Sequence, residues 1–172
     1  MAEPQDDPAA AVRAQLAGWL DEVLGLRRQV RRACPARGSA PPLFHDAMLE
    51  ARGCQDRVEE ILGEAQALCG SARRAAEAAR EQAEDSFDEA SAALRRQAVR
   101  RDADYTTGRE READVNLQIR PQRARQRSLA RIRDECDEAV TRIRDAYFGI
   151  NGTRQDLGRS LGYFAWESTL DR

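Results

Sequence analysis

FHDAMLEARGCQDRVEEILGEAQALCGSARRAAEAA, residues 44–79, decides the fold. Within it Phe44, Ala47, Ala51, Cys54, Val58, Ile61, Ala65, Leu68, Ala72, Ala75 and Ala79 recur in alternating steps of 3 and 4. An α-helix places such a series along one stripe, the a/d seam of a coiled coil. A strand would scatter the same residues over both faces. Beyond Ala79 the stripe continues at Ala83, Phe87, Ala90 and Leu94. The extra residues between Ala79 and Ala90 amount to a stutter, which locally relaxes a left-handed supercoil; the helix need not stop there, and the sequence leaves its continuity over 79–90 open. No proline lies between Leu43 and Tyr105, so one long helix is expected over about 43–105. Gly53, Gly63 and Gly70 each weaken it by roughly 1 kcal/mol relative to alanine, so its continuity must come from packing.

The seam changes character along its length. From Leu43 to Leu68 large and small side chains alternate; from Ala72 to Ala83 every seam position is alanine. Alanine lets helices approach closely but buries little area, whereas a large apolar side chain contributes roughly 1.5–3 kcal/mol when fully buried. This alanine waist is therefore expected to be the weakest-packed part. Its outer face is acidic, with Glu77, Glu81, Glu84, Asp85, Asp88 and Glu89 against Arg80 alone. Such a run reads first as a solvated face and second as a docking strip for a basic partner.

Outward from this helix, the chain has the composition of long helices. Of its 172 residues 41% are hydrophobic and 34% charged, and all 28 basic residues are arginine. An Ala, Glu, Arg and Leu bias with this periodicity belongs to coiled coils rather than to mixed α/β domains. A net charge of -2 disfavours a generic polyanion binder but leaves room for a local patch. No apolar run is long enough to span a bilayer, and MAEPQDDPAAAV has neither the basic nor the apolar region of a secretory signal. The expected location is cytoplasmic. Cys34, Cys54, Cys69 and Cys136 form no C-x-x-C pair. Cys54 and Cys69 would lie roughly 22 Å apart on one helix, too far for a disulfide. The cysteines read as free thiols, with Cys54 and Cys136 on seam positions as small hydrophobes.

Flanking elements fall into place around the long helix. Asp7-Pro8 reads as a cap followed by proline at the first helical position. Helix 1 then runs over about 8–33 with the stripe Val12, Leu16, Trp19, Val23, Leu26 and Val30. PARGSAPP, residues 35–42, is a short connector that returns the chain antiparallel. Tyr105-Thr106-Thr107-Gly108 looks like a helix end or kink. Residues 106–121 read as a turn region holding at most a short helix, because Val115, Leu117 and Ile119 fit either an extended or a helical period. Pro121 biases Arg120 out of the helical region. Helix 3 follows over about 122–148, with Leu129, Ile132, Cys136, Ala139, Ile143, Tyr147 and Ile150 as its seam. Asn151-Gly152 is a stop signal. Thr153 then caps a last helix over about 154–170.

Two clusters could carry function. Arg120, Arg123, Arg125, Arg127, Arg131 and Arg133 stand together with no acid among them, and arginine suits bidentate phosphate recognition. An anion or nucleic-acid patch is one reading; a basic helix start paired with neighbouring acids is the other. Aromatics that would stack bases are absent nearby. The second cluster is aromatic: Tyr147, Phe148, Tyr163, Phe164 and Trp166 lie in the last 26 residues. Such side chains either anchor a protein interface or close the end of a bundle.

Other chemistry finds little support. His45 is the only histidine, and without a second His or an E-x-x-H pattern no metal site of the bundle type is expected. No Gly-rich phosphate loop, G-x-S-x-G or paired-carboxylate motif is present, so no catalytic or cofactor-binding residue is assigned. Tyr163-Phe-Ala-Trp-Glu167 fits the loose Y-x-x-x-[DE] pattern and resembles the export tag of helical-hairpin substrates of the type VII secretion family. The W-x-G turn of that family is missing here.

The sequence thus predicts an all-α protein: an elongated antiparallel helical bundle or coiled coil, one domain over 1–172, with one very long central helix. That helix would span on the order of 90 Å, and helices 1 and 3 roughly 40 Å each. Placed end to end they would cover one face of it and leave Leu49, Leu62 and Val99 open to water. Self-association, as a homodimer or higher homo-oligomer, is expected to follow. The function expected is a non-catalytic coiled-coil scaffold, adaptor or assembly subunit that also packs against an unidentified protein partner. The alternative is an oligomeric nucleic-acid-binding protein using Arg120–Arg133.

Overall fold

The computed structural model describes residues 8–36, 39–101 and 108–170; within its helices the side chains at 8, 97–101, 108, 109, 111 and 163–170 are outside the description. All four elements among the described residues are α-helices: α1 (Pro8–Ala33), α2 (Pro41–Arg101), α3 (Gly108–Gln118) and α4 (Arg120–Leu170). The protein is all-α, and its longest helix, α2, has 61 residues. It passes unbroken through Gly53, Gly63, Gly70 and the 79–90 stretch. The chain packs as two units, one of residues 1–68 with 136–172 and the other of residues 69–135.

The first unit combines α1, the first half of α2 and the second half of α4. Two polar contacts fix the α1–α2 relation. Arg57 on α2 grips Glu22 on α1 with Nε–Oε1 at 2.7 Å and Nη2–Oε2 at 3.3 Å, and Gln29 donates to Glu50 at 3.0 Å. As numbering rises on one helix it falls on the other, so the pair is antiparallel. The relation of α4 to α2 is also antiparallel: Gln55 donates to the Tyr147 hydroxyl at 3.0 Å, and Gly158 lies against the Met48 sulfur. Gly149 faces the Arg27 guanidinium, which brings α4 beside α1 as well. Three helices therefore surround one core. Ala51, Val58, Ile61 and Ala65 of α2 are completely buried. Val23 and Val30 of α1 and Ile143 and Ile150 of α4 are buried almost as fully in the same unit.

This arrangement corrects two expectations. The Asn151-Gly152 stop and the separate helix over 154–170 do not exist, because α4 runs straight through them. The stripe of Ile143, Ala146 and Ile150 goes on to Leu157, and burial of that stripe outweighs the local turn propensity. Thr153, read as a cap, instead donates its hydroxyl to the Gly149 carbonyl at 3.1 Å, one turn back. The second correction concerns coverage. Because α4 continues, the first half of α2 is covered by two helices rather than one, and its seam is not left open. Leu49 is exposed as expected, Leu62 is half-buried, and the Val99 side chain lies outside the described residues.

The buried stripe of α2 also departs from the expected series. Past Ala65 the buried α2 positions among the described residues are Cys69, Ala76, Ala79, Ala83 and Leu94; Leu68 and Ala72 are half-buried and Ala75 is exposed. Val58, Ile61, Ala65 and Cys69 follow steps of 3, 4 and 4, a stutter that the sequence hides because Leu68 and Ala72 also fit the unbroken heptad. The shift expected between Ala79 and Ala90 occurs too, through Ala83 and half-buried Phe87.

The second unit holds the rest of α2, α3 and the start of α4, and Leu94, Val115, Ile119 and Ile132 are buried within it. Val115 and Ile119 are buried and Leu117 is exposed, so the ambiguous V-x-L-x-I stretch is helical: residues four apart share a face, and the one between them points out. The Ile119 amide bonds to the Val115 carbonyl at 3.1 Å, and the Arg123 amide to the Ile119 carbonyl at 3.0 Å. Only Ile119 therefore separates α3 from α4. Arg120 opens α4 rather than leaving the helical region, and Pro121 sits in the first turn, where its missing N–H costs least. Pro41 and Pro42 begin α2 in the same way, earlier than the connector reading placed it. Gly108 starts α3 instead of ending a helix. The Tyr105-Thr106-Thr107 segment lies outside the described residues.

Candidate interaction surfaces

The arginine-rich stretch forms the first turns of α4, and the helix divides it. Arg120, Arg127 and Arg131 recur in steps of 7 and 4, which keeps them within about 40° of one another around the helix. All three are exposed, as is Arg125 on another side. No ion pair holds any of these four among the described residues. Arg123 is engaged differently: its guanidinium carbon stands 5.6 Å from the centroid of the Phe87 ring on α2. A contact of this kind contributes about 0.5–1 kcal/mol at an exposed site. Arg123 and Gln126 line one side of a shallow groove of about 470 Å³, with Ala83, Glu84, Phe87 and Asp88 on the other. Arg133 bonds to the Asp134 carboxylate at 2.7 Å. The six arginines thus form one solvated row of three, one isolated cation and two occupied ones.

The acidic residues of the waist lie outward on α2. Glu77, Glu81, Glu84, Asp85, Asp88 and Glu89 are all exposed. Arg80 holds Glu84 at 2.8 Å, and this bond raises the already high pKa of the guanidinium.

The aromatic cluster is only half within view. The Tyr147 hydroxyl accepts from Gln55, which is itself buried, and this fixes the ring against α2. The Phe148 ring meets Tyr147 edge-on, with centroids 5.7 Å apart and planes at 75°, yet remains 59% exposed. Tyr147 therefore serves the core while Phe148 faces solvent. Tyr163, Phe164 and Trp166 lie on α4, but their side chains, and with them the Tyr163–Glu167 pattern, lie outside the described residues. Leu24, Leu43, Leu49 and Leu117 are the other large apolar side chains exposed among the described residues.

Sequence reading missed Gln55, a polar residue beside the seam whose Oε1 is buried without a partner. Its signal was available: it occupies the position after Cys54 on the stripe and can reach α4. A second groove, of about 590 Å³, runs between Gly25, Arg28, Gln29, Arg32 and Ala33 of α1 and Glu50 of α2. His45 is exposed, and no group of three His, Cys, Asp or Glu side chains among the described residues could hold a metal ion. Burial pushes the Cys34 thiol pKa up, and burial followed by the charge of Glu50 does the same for Cys54, so both favour the protonated thiol. No helix among the described residues is long and apolar enough to cross a membrane. Comparison with models of protein families, with curated proteins and with solved structures found no match to this chain.

Proposed function

We propose that this protein is a non-catalytic helical scaffold or assembly subunit, acting by self-association and by packing against a partner helix. The observation that supports this reading is Phe148. A large aromatic side chain sits 59% exposed on a long helix, braced edge-on by a tyrosine that is itself hydrogen-bonded into the core. A rigid aromatic on a rigid element loses little entropy on docking, and aromatic side chains are enriched at protein interfaces. The α2 seam of the first unit is covered by the chain itself and lends no support to assembly. The test is mass in solution. Light scattering at micromolar concentration is expected to give a species heavier than the 19.3 kDa chain, and Phe148→Asp is expected to reduce the assembled fraction. A monomeric wild-type chain would sink the reading.

The competing reading is nucleic-acid binding, and one observation favours it: Arg120, Arg127 and Arg131 are exposed on one face. Fluorescence anisotropy with single- and double-stranded oligonucleotides over a salt series decides it, because phosphate contacts weaken steeply with salt. Absence of binding at low salt removes it.

A further inference from the structure

A polar pair crosses the packed α2–α4 faces of the first unit. Gln55 is 9% exposed and donates its Nε2 to the Tyr147 hydroxyl at 3.0 Å, while its Oε1 is buried without a partner. A buried acceptor left unmade costs at least as much as one ordinary hydrogen bond contributes. The pair is therefore a poor source of stability. The spacing of its neighbours shows what it supplies instead.

Burial along α4 repeats every seven residues. Cys136, Ile143, Ile150 and Leu157 form one buried series, and Ala139 and Ala146 another. On α2 the same repeat gives Ala51, Val58 and Ala65, and beside them Ala47, Cys54 and Ile61. Sliding α4 along α2 by one heptad, about 10 Å, would set apolar side chains against apolar side chains again. Ile143 would take the place of Ile150, Ala139 that of Ala146, and buried Val140 that of Tyr147. Gln55 would then meet Val140, and the Tyr147 hydroxyl would meet Met48, so both polar groups would lose their partner. The opposite slide would bring the charge of half-buried Arg154 to Gln55 and set the hydroxyl against Leu62. The polar contacts of α1 do not decide between these registers: Arg57–Glu22 and Gln29–Glu50 join α1 to α2, and both are exposed.

We propose that Gln55 and Tyr147 form a register lock, a polar pair that selects one alignment of α4 on α2 from several that the apolar seam accepts. A single polar residue on a helical seam specifies register at a cost in stability. The lock belongs to one chain and does not depend on whether copies of the chain assemble.

Pulsed electron-electron resonance on the full chain tests it, with spin labels at Glu59→Cys and Gln155→Cys. Both positions are exposed, and a Cys34→Ser background leaves only buried native thiols. Dilution into excess unlabelled chain confines the distance to one molecule. With Gln55 and Tyr147 intact, a single distance is expected. Gln55→Leu/Tyr147→Phe is expected to add a population longer by up to about 10 Å, with helicity by circular dichroism unchanged and a urea midpoint no lower than before. Val140→Tyr/Tyr147→Val moves the hydroxyl back by one heptad and is expected to make that longer distance the main one. The unshifted distance alone in both variants overturns the lock. A fall in helicity or midpoint in Gln55→Leu/Tyr147→Phe also overturns it and makes the pair an ordinary stabilising contact. Two distances with the pair intact overturn it as well, because the register is then not selected.

Discussion

Ile61 and Ile143 are completely buried in the core of the first unit, whereas Leu49 is half exposed on the same α2 helix. Truncating Ile61 or Ile143 to alanine removes apolar burial and leaves a cavity, and is expected to lower stability by about 2–5 kcal/mol. Leu49→Ala should change it by no more than about 0.5 kcal/mol. Urea denaturation followed by circular dichroism measures both, and equal effects would mean that the stripe has been misplaced. The cysteines give a second check at this scale. Cys34 is half-buried beyond the end of α1, while Cys54, Cys69 and Cys136 are buried free thiols. A disulfide-exchange reagent is expected to label Cys34 first in the folded protein and the other three only after denaturation. Because burial raises the Cys34 pKa, its labelling should accelerate as pH rises through and above neutrality. Fast labelling of all four in native buffer would contradict the packing.

Helix α4 shows how a local signal loses to a long stripe. Asn151-Gly152 has strong turn propensity, yet Ile150 and Leu157 are buried on either side of it, and breaking the helix there would move Leu157 off the core. The glycine contributes no packing that would justify it: a Cβ at Gly152 meets nothing within 4 Å, and the same holds at Gly63 in α2. Gly152→Ala and Gly63→Ala are each expected to stabilise the protein by up to about 1 kcal/mol through helix propensity alone. Gly152→Pro is expected to cost about 3 kcal/mol or more. Thermal melts of the three variants check this, and a destabilising Gly152→Ala would show that the chain needs a bend at that point. Helix type and approximate extent were legible for α1 and α2 because proline and a long periodic stripe bound them. The start and length of α4 were not, because Pro121 and Asn151-Gly152 carry the same local chemistry whether a helix begins, ends or runs through.

At the scale of the molecule the two units differ in what they bury. The largest completely buried side chains, Ile61, Ile143, Ile150, Val23, Val30, Val58 and Cys136, all belong to the first unit. The α2 stripe of the second unit is mainly alanine, which shields the helix less from opening. Amide hydrogen exchange is therefore expected to be slowest over 47–65 of α2 and faster over 72–90 of the same helix. Uniform protection along α2 would contradict this division. Truncation is a further check. Deleting 153–172 removes Leu157 from the core and is expected to destabilise the fold, whereas deleting 163–172 spares it.

The helical class, a long helix over most of α2, the alanine waist, the acidic run and the arginine run were legible in the sequence, because each follows from spacing along one chain; that α2 passes unbroken through 79–90 came from the tertiary structure. The sequence could not determine which segment covers which face. Leu68 and Cys69 are equally fit for a seam, and only the helices packed against α2 decide that Cys69 turns inward. The same is true of Phe148, which could close a bundle or face water until the path of α4 beside α1 and α2 leaves it outside. Periodicity is a property of one helix in isolation, whereas burial depends on neighbours distant in sequence, so the choice among equivalent stripes belongs to the tertiary structure.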